Sequence, residues 1–355
     1  MAPSRTRLAR RIRRRVDPVL ELPGDWWTAR QLGRHQPDTI IEPVEQWTPH
    51  VAIIATFPRS ALIASISRLV DQLDALGITV IVVANDAPDR QRCTEVWSEQ
   101  RCSIIHRPNL GRDFGAYRCG MDHLLSHAPT GSVERVSFFN DSVAHLPTSM
   151  DLLTAWLREP VGNLSLATTR LDRPGVQGFA MSLDGPTALS SPMLEFWRRH
   201  VPSNDRSTVI RRGEQRLSAV LRESPRPPIG FLTFERLDEA LDGDWGRLTD
   251  DEVDGLRWAV GFSPRIAAAV ADSGLDLDRP ELRRMIAREI PQWIGPNRPF
   301  GLVAAGLLGF PLKLDLIAVG AASRSGVARI LEQSGVSDQE QSELLALMEA
   351  HQFGR

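Results

Sequence analysis

Residues 51–86 read VAIIATFPRSALIASISRLVDQLDALGITVIVVAND, and this stretch decides the fold. Its two ends, residues 51–56 and 78–84, are short apolar runs of the kind that form buried strands. Between them Gly77 is placed to end a helix, whose apolar side chains recur at helical spacing: Leu62, Ile63, Ile66, Leu69, Val70, Leu73 and Leu76. This strand–helix–strand unit predicts two parallel strands joined by a right-handed crossover.

The same unit repeats along the chain as far as residue 139. A short helix over residues 91–99 leads to a strand at 103–106, and a polar loop then opens a helix that ends near residue 127. Residues 133–139 are another apolar strand. Strands that alternate with helices and are apolar throughout predict an α/β fold, a mostly parallel sheet flanked by helices on both faces.

The pattern divides the chain into three predicted regions. Residues 1–47 form a basic N-terminal arm, residues 48–230 the α/β domain, and residues 231–355 a mostly helical C-terminal region. The longest apolar run, residues 300–312, is shorter than the roughly 20 residues that a membrane-spanning helix needs. It predicts a buried helix that covers the sheet, with docking on a membrane surface as the alternative.

Polar residues stand where the predicted parallel strands end. They are Thr56, Asn85 with Asp86, residues 107–113, and residues 140–142. One such residue would mean little, because turns favour Asn and Asp. In open α/β sheets, however, ligands bind in the crevice outside the carboxyl ends of the strands. The successive polar ends therefore predict one shared site.

The composition excludes several function classes. The chain is 42% hydrophobic and 24% charged, as in ordinary globular proteins, and its net charge of −2 gives no support for a nucleic-acid partner. It contains no GxGxxG after the first strand, no GxxxxGK[ST] and no HExxH, which disfavours a dehydrogenase, a P-loop protein and a zinc protease. Lys313 is the only lysine, so any phosphate-binding cation is expected to be an arginine.

The N-terminal arm and the cysteines bear on localisation. Arginines crowd residues 5–15, with apolar residues at helical spacing among them, and this predicts either peripheral contact with an anionic membrane surface or a solvated terminus. Three cysteines without a CxxC pattern fit a reducing compartment. We therefore expect a cytoplasmic protein that can lie at the inner face of the membrane.

Asp141 is the candidate metal ligand of the predicted crevice. It stands at the end of a strand in Phe138-Phe-Asn-Asp-Ser-Val143. A hard cation such as Mg²⁺ or Mn²⁺ prefers carboxylate oxygens and tolerates several waters, so one or two acidic residues suffice. Such a cation would neutralise a leaving diphosphate. The alternative is that Asp141 caps a strand-to-helix turn.

Two motifs together resemble the rhamnan synthesis protein F family. These are Asn109-Leu-Gly-Arg-Asp-Phe-Gly-Ala-Tyr117 and, downstream, Phe139-Asn-Asp-Ser-Val143. Three further segments are similar in order and spacing: Gly178-Phe179 before Phe196-Trp197, Gly213-Glu-Gln-Arg-Leu-Ser218, and Gly309-Phe-Pro-Leu-Lys313. The resemblance covers roughly residues 50–317. It implies a GT-A (Rossmann-like) glycosyltransferase fold and a role in assembling bacterial surface polysaccharides.

The resemblance also implies residue roles in a nucleotide-sugar site. Thr56 and Asp86 would face the base and ribose, Asp141 would hold the metal, and the sugar and diphosphate pocket would be lined by Gly111, Arg112 and Asp113, with Asn140 in the same site. The chain reads Asn-Asp-Ser where many relatives carry Asp-x-Asp. This departure leaves one carboxylate at that position and leaves metal dependence open.

Glu214 is the candidate general base, in the position that the resemblance favours. An inverting sugar transfer needs a carboxylate to take the proton from the acceptor hydroxyl. Glu214 follows Arg211-Arg212-Gly213 at the start of a predicted helix, where the alternative is simple stabilisation by the helix dipole.

The predicted function is transfer of a sugar, with rhamnose as one candidate, from a nucleotide-sugar donor to a growing glycan or a lipid-linked acceptor. The divalent cation, Mg²⁺ or Mn²⁺, would be the cofactor. The main alternative is a non-catalytic glycan-binding or assembly protein on the same fold, which the single carboxylate of Asn140-Asp141-Ser142 favours. A nucleotidyltransferase would need a glycine-rich, lysine-containing phosphate loop, which the sequence lacks.

Overall fold

The computed structural model describes residues 39–41, 46–160, 162–167, 176–233, 236, 239, 299–319 and 322–350. The arginine-rich stretch at residues 5–15 and residues 240–298 lie outside this part, and the predictions made on them stay predictions.

The predicted apolar runs agree to within a few residues with the strands His50–Thr56, Thr79–Asn85, Cys102–Arg107 and Arg135–Asn140. The described part of the chain contains ten strands. They are β1 Thr39–Ile41, β2 His50–Thr56, β3 Thr79–Asn85, β4 Cys102–Arg107, β5 Arg135–Asn140, β6 Val143–Ala144, β7 Leu164–Ala167, β8 Ala180–Asp184, β9 Ile229–Leu232 and β10 Leu312–Lys313.

One sheet contains eight of these strands, in the order β1-β4-β3-β2-β5-β8-β7-β9. The neighbours β2 to β5 pair in parallel, whereas β8 runs antiparallel to β5 and to β7. The predicted mostly parallel α/β sheet is therefore confirmed. The sheet also includes β1, which pairs antiparallel with β4 and comes from residues that the sequence analysis placed in the N-terminal arm.

Helices cover both faces of the sheet. They are α1 Ile63–Ala75, α2 Arg90–Trp97, α3 Arg112–His127, α4 Ser149–Arg158, α5 Gly185–Ala188, α6 Ser191–Arg199, α7 Arg206–Val209, a π-helix Ile210–Gln215, α8 Arg216–Arg222, α9 Pro299–Leu308, α10 Arg324–Gln333 and α11 Asp338–Ala350. The side chains of β2 alternate between two apolar clusters: Ala52 and Ile54 pack with α1 and α4, whereas Ile53 and Ala55 pack with α3 and α6. Burial on both faces explains why the strands are apolar throughout.

The C-terminal segment packs against the sheet. Phe310, Leu331 and Met348 belong to the same apolar cluster as α1 and α4. Residues 312–313 form β10, which pairs antiparallel with β6 and was not predicted from the sequence. The apolar run at residues 300–312 begins in the buried helix α9, as expected. Within the described residues no helix is both long enough and apolar enough to cross a membrane.

The parallel register brings four polar strand ends to one edge. Thr56 and Asn140 end the adjacent strands β2 and β5, and Asn85 lies opposite Arg107 at the ends of β3 and β4. The predicted convergence of polar residues at this edge is therefore present.

Two glycines with positive φ allow a test of how the C-terminal segment docks. Gly309 has φ of +63°, and a Cβ there would lie 2.0 Å from the carbonyl oxygen of Thr148. Gly335 has φ of +72° with nothing within 4 Å of such a Cβ. We expect Gly335→Ala to lower the free energy of unfolding by about 1–2 kcal/mol, the penalty of a left-handed alanine. Gly309→Ala should lower the free energy of unfolding by a further ~1–3 kcal/mol, because the backbone of Thr148 must move to make room for the Cβ.

Urea unfolding of both variants measures this difference, with the wild type as reference. Equal losses in the two variants would contradict the close contact between residue 309 and Thr148.

Candidate functional site

Asp141 binds the loop that follows β2. Its Oδ2 accepts hydrogen bonds from the backbone N–H of Phe57 at 2.5 Å and from the hydroxyl of Thr56 at 3.1 Å. Its own N–H donates to the carbonyl of Ala55 at 3.2 Å. The next element is the strand β6 and not a helix, so the carboxylate ties two strand ends together instead of capping a helix.

Burial makes the Asp141 carboxylate hard to ionise. Desolvation raises its pKa from 3.8 to about 6, and the hydrogen bond from Phe57 and the positive charge of Arg59 offset only part of this effect. The side chain nevertheless keeps some solvent exposure. A bound cation would relieve the unfavourable charge of this carboxylate.

Asn140 joins three parts of the site through its amide. Its Nδ2 donates to Asp113 Oδ2 at 2.9 Å and to the carbonyl of Gly178 at 3.3 Å. Its Oδ1 accepts from the backbone N–H of Ser142 at 3.0 Å and from the Ser142 hydroxyl at 2.5 Å. The amide therefore fixes Asp113, at the start of α3, relative to the end of β5.

Glu214 reaches the same place from the π-helix. Its Oε1 accepts from the backbone N–H of Gly178 at 3.1 Å, while the carbonyl of Gly178 accepts from the hydroxyl of Tyr117 at 2.6 Å. A Cβ at residue 178 would lie 2.9 Å from Glu214 Oε1, so glycine permits this close approach. A π-helical turn is rare and is frequent at functional sites.

Glu214 and Asp113 resemble Asp141 in that burial raises the pKa of each carboxyl. Burial raises the pKa of Glu214, and the negative charge of Asp113 raises it further. Burial likewise raises the pKa of Asp113, although the backbone N–H of Phe114 and the charge of Lys313 act in the opposite direction. Carboxyls held with elevated pKa values in one cleft are typical of sites that move protons or bind cations.

Lys313 is a residue of this site that the sequence analysis did not assign. Its Nζ donates to Ser142 Oγ at 2.6 Å and lies 5.2 Å from the ring centroid of Phe179. Burial lowers its pKa, while Asp315, Glu214 and Asp113 act to raise it. Two signals were available: Lys313 is the only lysine of the chain, and it ends the segment Gly309-Phe-Pro-Leu-Lys313.

Three of the predicted site residues lie apart from this cluster. Asp86 is exposed and forms an ion pair with Arg90 at 3.3 Å. The N–H of Gly111 and the Nε of Arg112 both donate to Asn204, at 2.8 and 2.9 Å. The structure thus brings together Thr56, Asp113, Asn140, Asp141 and Glu214, and their roles, like those of Asp86, Gly111 and Arg112, stay proposals.

The Gly111–Arg112 turn is strained. Gly111 has φ of +80°, and a Cβ there would lie 2.1 Å from Pro202 Cβ; Arg112 follows with φ of +51°, which is rare for a side-chain-bearing residue. The expectation was that the glycine allows close backbone approach to the donor. In the structure the neighbour that requires glycine is Pro202.

The residues around Asp141 suit a divalent cation that is held mainly by its substrate. Among the described residues no group of three or more His, Cys, Asp and Glu side chains is arranged to hold a metal. Mg²⁺ is commonly bound through one or two carboxylates together with substrate phosphates and waters. Asp141 can supply one such ligand, because both hydrogen bonds to its carboxylate involve Oδ2.

Comparison with known proteins adds three solved structures. No family model matches the chain. No curated protein matches it either. A mannosyltransferase, PcManGT from Pyrobaculum calidifontis in complex with GDP-Man and Mn²⁺, is 14% identical over 93% of this chain and 92% of its own, with a TM-score of 0.34. TarS 1-349 from S. aureus is 11% identical over 86% and 92%, with a TM-score of 0.32.

The third is a 4-diphosphocytidyl-2C-methyl-D-erythritol synthase from Anaerococcus prevotii. It is 10% identical over 51% of this chain and 88% of its own, with a TM-score of 0.33. Identities and TM-scores this low transfer no function. The resemblance to the rhamnan synthesis protein F family stays a prediction.

The raised pKa of Asp141 has a measurable consequence for stability. The unfolded chain loses this proton near pH 3.8 and the folded chain near pH 6. In that interval the folded state binds more protons, so its stability falls as the pH rises. We expect Asp141→Asn to gain thermal stability relative to the wild type between pH 4 and pH 7, by up to roughly 1–3 kcal/mol.

Asp184→Asn is the control of opposite sign. Although burial acts to raise it, hydrogen bonds from Thr187 and Arg226 hold the pKa of Asp184 below its usual value. This variant should lose stability, and lose more at neutral than at acid pH. Melting curves at pH 4.5 and pH 7.5 decide the matter, and a stability difference at Asp141 that does not change with pH would refute the assignment.

Proposed function

We propose that this protein is a glycosyltransferase of the GT-A type that moves a sugar from a nucleotide-sugar donor to a glycan or lipid-linked acceptor. The observation that carries the proposal is the convergence, at the carboxyl edge of a parallel sheet, of Asp113, Asp141 and Glu214 with Lys313. Such an edge is where ligands bind in open α/β sheets.

The donor would occupy the cleft between β2, β5 and α3. Thr56 and Asp86 stand at the ends of neighbouring strands, where the base and ribose would bind. The divalent cation, Mg²⁺ or Mn²⁺, would be held by Asp141 and by the donor phosphates, and it would supply positive charge to the leaving diphosphate. Asn140, at the end of β5, would border the donor, and the resemblance implies the same for Gly111 and Arg112 at the start of α3.

Glu214 is the group proposed to take the acceptor proton. In the transfer, the acceptor oxygen forms a bond to the anomeric carbon, and the bond from that carbon to the phosphate oxygen breaks. The electron pair of that bond leaves with the nucleoside diphosphate, and the hydroxyl proton passes to the Glu214 carboxylate. A carboxyl whose pKa is raised above its usual value is a stronger base near neutral pH. Attack from the face opposite the leaving group gives inversion.

The acceptor and the sugar are proposed more generally. Rhamnose is one candidate sugar, and a growing surface polysaccharide is the candidate product, both from the family resemblance. The basic N-terminal arm would place the protein at the inner face of the membrane, beside a lipid-linked acceptor.

A non-catalytic glycan-binding or assembly role is the second candidate. The motif Asn140-Asp141-Ser142 contains one carboxylate, and no three-ligand metal group occurs among the described residues. On this alternative the fold would bind a sugar or nucleotide without turnover.

Substitutions at Glu214 and Asp141 test catalysis. A screen of nucleotide-sugar donors, read out by released nucleoside diphosphate, first identifies the donor for the wild type. Glu214→Gln is then expected to lower kcat by about 10²–10⁴-fold, the usual contribution of a general base. Asp141→Ala should raise the cation concentration needed for half-maximal activity as well as lower kcat.

Glu195→Gln is the matched control, since Glu195 is a surface glutamate paired with Arg198 on α6. It should keep normal kcat. Near-normal turnover in both Glu214→Gln and Asp141→Ala would end the residue assignment, and absence of transfer with every donor would favour the assembly role.

A further inference from the structure

Lys313 is the one lysine of the chain. Its ammonium group has no assigned role in the transfer described above. We propose that Lys313 binds the sugar-proximal phosphate of the donor and stabilises the leaving diphosphate. This inference rests on the proposed nucleotide-sugar site and adds a phosphate-binding residue to it.

The fold delivers Lys313 to the site from a distant part of the sequence. In the β6–β10 ladder Lys313 lies opposite Val143, and the N–H of Leu314 donates to the carbonyl of Ser142 at 3.1 Å. These contacts place the lysine side chain beside the residue that follows Asp141. Gly309, with its positive φ and its close approach to Thr148, turns the chain from α9 into this ladder.

The hydrogen bonding of Lys313 is incomplete. An ammonium group has three N–H donors. Among the described residues Nζ has one hydrogen-bond acceptor, Ser142 Oγ at 2.6 Å, and it forms no ion pair with a carboxylate there. A buried charge is normally both paired and hydrogen-bonded. The remaining N–H groups therefore suit an anionic ligand that enters the cleft.

A purely structural role for the ammonium is disfavoured by the same geometry. Lys313 lies near Asp113, Glu214 and Asp315, and their charges act on its pKa. If the lysine served only to neutralise these carboxyls, a direct ion pair would be expected. Glu214 instead hydrogen-bonds to the N–H of Gly178, and Asp113 to the amide of Asn140. Asp315 is paired with Arg206 at 3.6 Å, so each of the three carboxyls has another partner and the ammonium is left available.

The position of Lys313 selects one phosphate of the donor. Lys313 binds Ser142, and Ser142 binds Asn140. Asn140 and Glu214 both bind the backbone of Gly178, so the ammonium and the proposed base belong to one hydrogen-bonded network. The base must lie beside the acceptor oxygen and the anomeric carbon. In a nucleoside diphosphate sugar the phosphate bonded to that carbon is the β-phosphate. Lys313 is thus expected to contact the β-phosphate, whereas the nucleoside and the α-phosphate extend away along the strand ends.

The sequence expectation that an arginine binds phosphate is revised by this inference. Of the 42 basic residues, Lys313 alone is a lysine. Its ammonium fits between Ser142 Oγ and the ring of Phe179, 5.2 Å from Nζ. A guanidinium is larger and planar and presents a fork of donors, whereas an ammonium acts on phosphate as a point charge.

Nucleotide binding by calorimetry tests the proposal. UDP, GDP and dTDP are titrated into the wild-type protein with Mn²⁺ and again in EDTA, and the tightest binder is compared with its nucleoside monophosphate. Lys313→Met is expected to weaken diphosphate binding at least about tenfold, the loss of one charge-assisted hydrogen bond. Binding of the monophosphate should change less than about threefold, because it lacks the β-phosphate. Lys313→Arg should recover part of the loss.

Arg101→Ala is the control for the loss of one positive charge. Arg101 is exposed and precedes β4, at the opposite end of the strand from the site, and its removal should leave both affinities unchanged. Melting curves identify any variant that does not fold. Ser142→Ala removes the hydroxyl that accepts from Lys313 Nζ and gives a second measure of the contact between Lys313 and the phosphate.

The outcomes separate this inference from the proposed function. If the wild type binds none of the diphosphates, the nucleotide-sugar site itself is wrong. If it binds one and folded Lys313→Met binds it equally well, the proposed function stands and Lys313 has no phosphate role. An equal loss for monophosphate and diphosphate would also overturn the β-phosphate contact.

Discussion

The candidate site depends on the side-chain amide of Asn140. This amide is buried at the end of β5 and makes hydrogen bonds in three directions, to Asp113, to Gly178 and to Ser142. Asp113 begins α3, Gly178 holds Glu214, and Ser142 accepts from Lys313. Four separate segments are therefore aligned through one neutral group. An aspartate in its place would lack the two N–H donors and would add a charge beside Asp113, so the asparagine of Asn140-Asp141-Ser142 has a positive structural reason.

The structural role of the Asn140 amide bears on how Asn140-Asp141-Ser142 compares with the Asp-x-Asp pattern. The first position is occupied by an organising amide, which donates to the carboxylate of Asp113 near the start of α3. The site keeps its acidic groups but distributes them over α3, β5 and the π-helix. Burial disfavours the charged form of each carboxyl and so raises the pKa values of Asp113, Asp141 and Glu214. A folded protein retains such groups at a loss in stability when binding or catalysis requires them.

The sequence predicted the parts of this arrangement that depend on local pattern. Strands β2 to β5, the helices between them and the polar ends at Thr56, Asn140 and Asp141 follow from apolar periodicity and from the rule that ligands bind at the carboxyl edge. The antiparallel direction of β8 and the β6–β10 ladder were not predicted, because each depends on a pairing between distant segments. Two-residue strands such as β6 and β10 carry no periodicity at all. Glu214 was reached through the family resemblance, and its π-helical setting has no sequence signature.

The role proposed for Lys313 differs from what composition alone predicts. Because almost all basic residues of the chain are arginines, composition predicts that an arginine binds the phosphate. That prediction takes no account of where each basic residue lies in the fold. The short strand β10 brings one particular basic side chain, Lys313, against Ser142. Two arginines at the end of β4 and the start of α3 are already engaged: Arg107 binds Asn85 and Leu110, and Arg112 binds Asn204. Lys313 donates to Ser142, and its position is set by the tertiary pairing of β10 with β6, which the segment Gly309-Phe-Pro-Leu-Lys313 alone does not reveal.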